Sequence, residues 1–163
     1  MALREALAAE PEADPESQAE VGRSLVALGR QQEAIGQTAE AIASYETAQA
    51  RLSALAKSQP SVAPFRADLA AAEYSLGWLL HLIGKPAEGL GWLERARDAQ
   101  EALARDNLTN TQYQSDLDLG HNSIGRVLSN TGQPEKGLES FRRALAILQH
   151  LVEANPRLMQ TWA

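Results

Sequence analysis

The chain has 163 residues and a net charge of −6. Such an acidic balance argues against nucleic acid as the main partner, because neutralising phosphates requires a basic surface. Cysteine is absent, which excludes a disulfide framework and a thiolate metal site and fits a reducing compartment, so we expect a cytoplasmic protein. Leu and Ala dominate and strand-forming residues are sparse, which indicates an all-helical chain.

No membrane association is expected from the sequence. The first 16 residues lack a basic segment followed by an apolar run, so they do not resemble a secretory signal. The longest apolar stretch, residues 76–83, is far shorter than the roughly 20 residues that cross a bilayer.

One stretch recurs at a fixed period. Residues 76–90 begin with Leu-Gly and carry a Gly-Lys-Pro turn, and similar segments lie at 28–42 and 124–138, each displaced by 48 residues. Three copies in one phase predict a repeat architecture. The predicted division is a repeat tail at 1–10, full repeats at 16–59, 60–107 and 108–155, and the start of a further repeat at 156–163.

Taken in order, the chain predicts a helical hairpin in each repeat. Residues 1–10 predict a helix, and Pro11 and Pro15 predict a linker after it. Turns are expected at 36–38, 84–86 and 132–134, since Gly ends helices and Pro starts them. The predicted apolar stripes of the six helices are Val21, Leu25, Leu28 and Ile35; Ile42, Tyr45, Ala48, Leu52 and Leu55; Phe65, Leu69, Ala72, Leu76 and Ile83; Leu90, Leu93, Ala96 and Leu103; Tyr113, Leu117, Ile124 and Leu128; and Leu138, Phe141, Ala144, Leu148 and Leu151.

Small residues recur at two phases of the repeat. Gly29, Gly77 and Gly125 fall within predicted first helices, where glycine costs about 1 kcal/mol relative to alanine. Ala41, Gly89 and Gly137 follow 12 residues later in the second helices. We expect the two helices of each hairpin to pack closely here, with Tyr45, Leu93 and Phe141 filling the space above.

This pattern resembles the tetratricopeptide repeat: Leu-Gly in the first helix, Gly at the turn, a small residue in the second helix, then an aromatic or Leu, then Ala. The resemblance implies an all-α, right-handed α-solenoid of antiparallel helix hairpins, with three full repeats and a half-repeat at each end. The family period is 34 residues, so each helix is expected to be about two turns longer here. The short segments Asp-Leu, Leu-Gly, Gly-Gln-Pro and Asn-Pro are similar to those of the long repeats that accompany bacterial signalling kinases.

The aromatic residues of the second repeat suggest a binding face. At about 100° per residue, Tyr74, Trp78 and His81 lie opposite the stripe of Leu76. The resemblance implies that first helices line a concave groove that contacts ligand. The predicted groove residues are Arg23, Val26 and Arg30 in repeat one, Tyr74, Trp78 and His81 in repeat two, and Asn122, Arg126 and Ser129 in repeat three. The alternative is that Tyr74 and Trp78 are covered by a neighbouring chain or a missing repeat.

The chain offers no set of residues typical of catalysis or metal binding. His81, His121 and His150 lie in different repeats without ligand spacing, and we expect them on the surface or in the groove. Glu20, Asp68 and Asp116 share one phase, which suggests a structural role near helix starts. There is no phosphate-binding loop and no nucleophile elbow. We therefore expect no enzyme, no metal and no cofactor.

The predicted function is protein–protein interaction, as a scaffold or adaptor module. Three arginines and no acid in the predicted groove favour a protein or peptide segment with acidic groups and an apolar anchor, because arginine pairs bidentately with carboxylates and phosphates. The alternative is a self-assembly element, a homo-oligomer whose open repeat ends stack on other copies. A less favoured possibility is a small-molecule sensor with Tyr74 and Trp78 as the floor of a pocket.

Overall fold

The computed structural model describes residues 14–154, and within that range the prediction of an all-α repeat fold is confirmed. Six helices follow one another: α1 (Pro15–Ala34), α2 (Thr38–Ser58), α3 (Ala63–Leu82), α4 (Pro86–Asp106), α5 (Thr111–Asn130) and α6 (Pro134–Ala154). Consecutive helices pack against each other, so the chain forms three hairpins, here called unit one (α1–α2), unit two (α3–α4) and unit three (α5–α6). The half-repeats predicted at 1–10 and 156–163 lie outside the described residues.

Side-chain caps and prolines mark the starts of several helices. The Asp14 carboxylate accepts hydrogen bonds from the backbone N–H groups of Glu16 and Ser17, as an N-cap residue does. Pro15 is therefore the first residue of α1 and not part of a linker, because proline's missing N–H is not needed at that position. Pro86 and Pro134 begin α4 and α6 in the same way.

The three predicted turns are confirmed. Gly36, Gly84 and Gly132 have φ angles of 79°, 85° and 80°. This left-handed conformation is readily adopted only by glycine. Each turn is short, so the two helices that it joins run antiparallel and bury their facing sides.

The close approach of the two helices of a hairpin is confirmed most clearly in unit two. A Cβ atom on Gly77 would lie 2.8 Å from the carbonyl oxygen of Gly89, and one on Gly89 would lie 2.5 Å from the carbonyl oxygen of Gly77. In unit three the ring of Phe141 lies against Gly125, where an added Cβ would be 2.8 Å from it. The repeated glycines therefore allow backbone-to-backbone and ring-to-backbone packing that alanine would prevent.

Two apolar clusters hold successive units together. The first joins units one and two and includes Tyr45, Leu52 and Leu76. The second joins units two and three through Leu93, Ile124 and Val127. As in other repeat proteins, stability rests on contacts within and between neighbouring units.

The first helices lie on the inner side of the array. α1 contacts α3 and α3 contacts α5, whereas within residues 14–154 the second helices do not contact one another across units. The array therefore curves towards α1, α3 and α5. The side of these three helices that faces away from the second helices is here called the inner face. None of the helices in the described range is long and apolar enough to cross a membrane.

Parts of the predicted apolar stripes are exposed instead of buried. Ile35 and Ile83 are exposed because they lie at the C-terminal ends of α1 and α3. Leu28 is exposed because its counterpart Leu76 packs on the preceding unit, and the described residues include no unit before α1. Leu138 and Leu148 on α6 are exposed as well, because no further unit packs on α6 among the described residues. The helical spacing of these residues predicts that they share one face of their helix. It does not predict whether another helix packs on that face.

Candidate functional site

The nine predicted groove residues all lie on the first helices, but the structure gives them different surroundings. Tyr74, Trp78 and His81 lie at the junction of units two and three, Arg23 is held by ion pairs, Val26 is buried, and the other four are half-buried or exposed.

Trp78 is packed at the junction of units two and three. Its half-buried ring contacts the cluster formed by Leu93, Ile124, Val127 and Leu128. The guanidinium of Arg126 lies 4.8 Å from the centre of the ring, at a distance typical of a cation–π contact. The ring of His81 lies beside it at an angle of 49°, with the ring centres 5.4 Å apart. The sequence predicts Trp78 on the side of α3 opposite Leu76, and in the structure α5 packs on that side, which a helical wheel of α3 alone does not include.

Tyr74 lies one turn before Trp78 and is held in the same way. Its hydroxyl forms a 2.9 Å hydrogen bond with the hydroxyl of Ser123 on α5. Unit three therefore covers Tyr74 and Trp78 in part, in place of the neighbouring chain or missing repeat that the alternative expected. Both side chains remain half-buried at the edge of the inner face.

Arg23 is held by three carboxylates. Its guanidinium pairs with Glu16 at 2.6 Å, Glu20 at 2.8 Å and Asp68 at 2.8 Å. The expectation of a groove arginine without nearby acids is therefore wrong for Arg23. Glu20 and Asp68 do not act at helix starts, as the sequence suggested, but pair with this arginine. Burial raises the pKa of Asp68, and the hydrogen bond from Arg23 opposes that shift.

Val26 is buried in the cluster between units one and two, with 7% of its surface exposed. Its small exposed part lines a pocket between α1 and α3, together with Arg23 and Arg30. Asn122 is half-buried, and its side-chain amide donates to the Asp118 carboxylate. Ser129 is exposed.

Arg30 and Arg126 are the two predicted groove arginines that stay exposed. Neither forms an ion pair with any of residues 14–154. They occupy equivalent positions, 96 residues apart, on α1 and α5, with Trp78 at the corresponding position of α3. The inner face thus presents a positive charge on either side of an aromatic residue.

A cavity of about 100 Å³ opens between α3 and α5. Its lining comprises Arg30, Ala67, Ala71, Tyr74, Gln100, Leu103, Tyr113, Asp116 and Leu119. Gln100 and Leu103 belong to the second helix α4, so the cavity reaches past the first helices into the array. Sequence reasoning missed Gln100, Tyr113 and Asp116 as site residues. A comparison of the repeats with one another could have found Gln100 and Tyr113, because they stand where the preceding repeat has Leu52 and Phe65.

The polar groups at the wall of this cavity are only partly satisfied. Gln100 is 6% exposed, and its side-chain oxygen has no hydrogen-bond partner among the described residues. A buried acceptor without a partner is uncommon in folded proteins and calls for a physical reason. The Asp116 carboxylate accepts a hydrogen bond from the side chain of Gln112, one turn earlier on α5.

His121 is buried between units, contrary to the expectation of a surface or groove position. Only 5% of its surface is exposed. Burial lowers the pKa of its imidazole, and the charges of Arg97 and Arg143 lower it further, while Glu101 opposes them. Across the described part of the chain, no group of His, Asp and Glu side chains is arranged to hold a metal ion.

Comparison with known proteins supports the repeat class. Residues 120–147 match the tetratricopeptide repeat family, a segment that covers the second half of α5 and most of α6. Together with the six packed helices, this match supports a repeat of the tetratricopeptide type. Such repeats generally mediate protein–protein contacts and are generally not catalytic. No curated protein matches the chain.

Proposed function

We propose that the chain is a scaffold or adaptor module that binds a segment of a protein partner on its inner face, centred on the junction of units two and three. The observation that carries the proposal is the pair of exposed arginines, Arg30 and Arg126, on either side of Trp78 and next to a cavity. Arginine and tryptophan are enriched among the residues that dominate binding energies.

Charge favours an acidic segment at this site. Arg30 and Arg126 present ten guanidinium N–H groups without an ion pair among the described residues, and a guanidinium binds carboxylates in a planar, bidentate geometry. The protein as a whole carries a charge of −6. An acidic segment would therefore be attracted to this local positive surface and repelled by the rest of the protein. An apolar side chain of the segment would contact the exposed edge of Trp78 or Leu119.

The test is a selection of peptides from a random displayed library, followed by titration of the selected peptides. We expect them to be rich in Asp and Glu, and the double variant Arg30→Ala/Arg126→Ala to weaken binding about tenfold or more. Binding to this variant should also depend less on salt, because the screened charges are gone. The matched control is Lys57→Ala/Arg142→Ala, which removes two exposed positive charges from second helices. Equal losses in both double variants would contradict the proposal.

Self-assembly through the exposed apolar face of α6 is the second candidate. Leu138, Leu145 and Leu148 form an exposed apolar row on α6, and the equivalent face of α4 packs on the next unit. A second copy could cover this row as unit three covers α4. Sedimentation equilibrium tests it: the parent should form dimers as its concentration rises, while Leu145→Lys should keep the monomer mass of 17.6 kDa. A parent that stays monomeric at every concentration would exclude this function.

The cellular context of the module is part of the proposal. The absence of cysteine fits the cytoplasm. The short recurring segments of the repeats are similar to those of arrays in bacterial signalling proteins. Detection of the protein in a cytoplasmic fraction, bound to a signalling protein, would support this placement. Recovery from an extracellular fraction would contradict it.

A further inference from the structure

The two junctions between units are built on the same plan but differ at one ion pair. At the first junction, Arg23 on α1 donates a 2.8 Å hydrogen bond to Asp68 on α3. Forty-eight residues later, Asp116 takes the place of Asp68, whereas Ala71 takes the place of Arg23. Asp116 forms no ion pair with residues 14–154. The second junction thus keeps the acid and lacks its arginine.

The buried side of the second junction differs as well. Leu52 and Ala72 are fully buried together at the first junction, and their counterparts at the second are Gln100 and Gly120. A Cβ atom on Gly120 would lie 2.6 Å from the side-chain oxygen of Gln100. Glycine at this position therefore makes room for a polar side chain that forms no hydrogen bond through its oxygen.

These replacements surround the cavity between α3 and α5. Asp116 and Gln100 both belong to its lining, and both side chains carry hydrogen-bond acceptors. Tyr74 and Tyr113 contribute aromatic walls. Acceptors beside aromatic faces are the surroundings that a guanidinium group prefers, because it carries five donors in one plane and stacks on rings.

We propose that this cavity binds the guanidinium group of an arginine side chain supplied by the partner segment. The inference rests on the proposed function, since it assigns one residue of the bound segment. Arg23 at the first junction is the internal precedent: the same fold, at the equivalent acid, already holds a guanidinium. The incoming arginine would pair with Asp116 and donate to Gln100, which satisfies the buried acceptor.

Arg30 sets a second requirement on the ligand. It is the cation in the cavity lining, and a lone positive group entering beside it would be repelled. An arginine next to an acidic residue meets both demands, because the carboxylate pairs with Arg30 while the guanidinium reaches Asp116. The segment is therefore acidic overall and contains one arginine.

The probe for this site is N-acetyl-arginine methylamide, and the matched control is the citrulline analogue, which has nearly the same shape without the charge. In an NMR titration we expect the arginine probe to shift the signals of Gly120 and Asp116 saturably, and the citrulline probe to bind about tenfold more weakly or not at all. Asp116→Asn should reduce the affinity for the arginine probe by a similar factor. Equal binding of the two probes, or unchanged binding to Asp116→Asn, overturns the proposal.

The variant Ala71→Arg tests the correspondence with Arg23 without any ligand. An arginine at this position should fill the cavity, pair with Asp116 and raise the melting temperature by about 2 °C, while abolishing binding of the probe. The rise should vanish when Asp116→Asn is present. A lower melting temperature in both backgrounds shows that the cavity does not accept an arginine side chain, and the proposal fails.

The outcomes separate this inference from the proposed function. If selected peptides require Arg30 and Arg126 but the arginine probe does not bind, the inference is wrong and the proposed function stands. If the probe binds at Asp116 while no peptide requires the two arginines, the proposed function is wrong and the cavity remains an arginine site.

Discussion

At the scale of single residues, glycines and buried polar side chains determine how closely the helices pack. Gly77 and Gly89 bring two backbones into contact, with an added Cβ at Gly77 only 2.8–2.9 Å from backbone atoms of α4. Backbone atoms cannot rotate aside as a side chain can. The helix-propensity cost of glycine, about 1 kcal/mol per residue, is offset by this contact.

Gly77→Ala should therefore destabilise the protein by about 1–3 kcal/mol despite alanine's better helix propensity. Gly91→Ala is the control on the neighbouring helix, since a Cβ there would meet nothing within 4 Å, and it should stabilise by up to about 1 kcal/mol. Urea unfolding of the two variants measures both effects. A Gly77→Ala protein as stable as Gly91→Ala would show that the backbones are not in contact.

Glu73 is a buried acid that joins three helices. Its carboxylate accepts hydrogen bonds from Arg95 on α4 at 2.8 Å and from Gln49 on α2 at 3.3 Å, and burial raises its pKa despite both partners. Arg95→Ala should destabilise by about 1–2 kcal/mol, because it leaves a buried carboxylate without its cation.

Glu73→Leu should be less harmful than Arg95→Ala, because unit one has Leu25 at the equivalent position and a buried ion pair is often replaceable by an apolar side chain. Thermal melts of the two variants compare them directly. The explanation is wrong if Glu73→Leu unfolds at a lower temperature than Arg95→Ala.

His121 predicts a pH dependence of stability. Burial and the charges of Arg97 and Arg143 hold its folded-state pKa below the ordinary value of 6.5, so the unfolded chain binds the proton first as the pH falls. Stability from this residue is fully present above pH 6.5 and is lost as the pH falls through 6.5 towards the folded-state pKa. Urea midpoints at pH 7.5 and 5.5 should differ more for the parent than for His121→Gln. An equal difference in both proteins would contradict a buried neutral imidazole.

At the scale of helices, the sequence predicted the elements well and their partners poorly. Turns at Gly36, Gly84 and Gly132 were predictable because positive φ angles and helix starts depend on local residue types. The surroundings of Trp78 were not predictable from the period of α3, because they depend on where α5 lies beside it. Arg23 shows the same limit, since its partner Asp68 belongs to the next unit.

Trp78→Ala should loosen unit three from unit two. The helical wheel of α3 sets Trp78 opposite the stripe of Leu76, but the ring packs on the cluster of Val127 and Leu128. We now expect a loss of about 2 kcal/mol, less than for a fully buried tryptophan. Hydrogen exchange should become faster in α5 and α6 than in α1 and α2. Uniform exchange along the chain would contradict this local role.

At the scale of the whole molecule, the repeats produce a curved array with different chemistry on its two sides. The first helices contact one another across units and carry Arg30 and Arg126 on the inner face, whereas the exposed leucines of α6 lie at one end. A repeat architecture could be predicted from the period, and the helix hairpins from the resemblance of the repeated residues to a tetratricopeptide repeat. The cavity could not, because it arises from differences between repeats, at Ala71, Gln100 and Gly120, and not from what they share.

The most direct test of binding on the inner face is to map the contact of a selected peptide by NMR. Backbone signals of the isotope-labelled protein should shift around Tyr74, Gly120 and Arg126, on α3 and α5, in proportion to the bound fraction. Signals of the outer residues of α2 and α4 should stay in place. Shifts concentrated on those outer residues, or on the exposed Leu138 and Leu145 of α6, would contradict the assignment of the inner face as the binding surface.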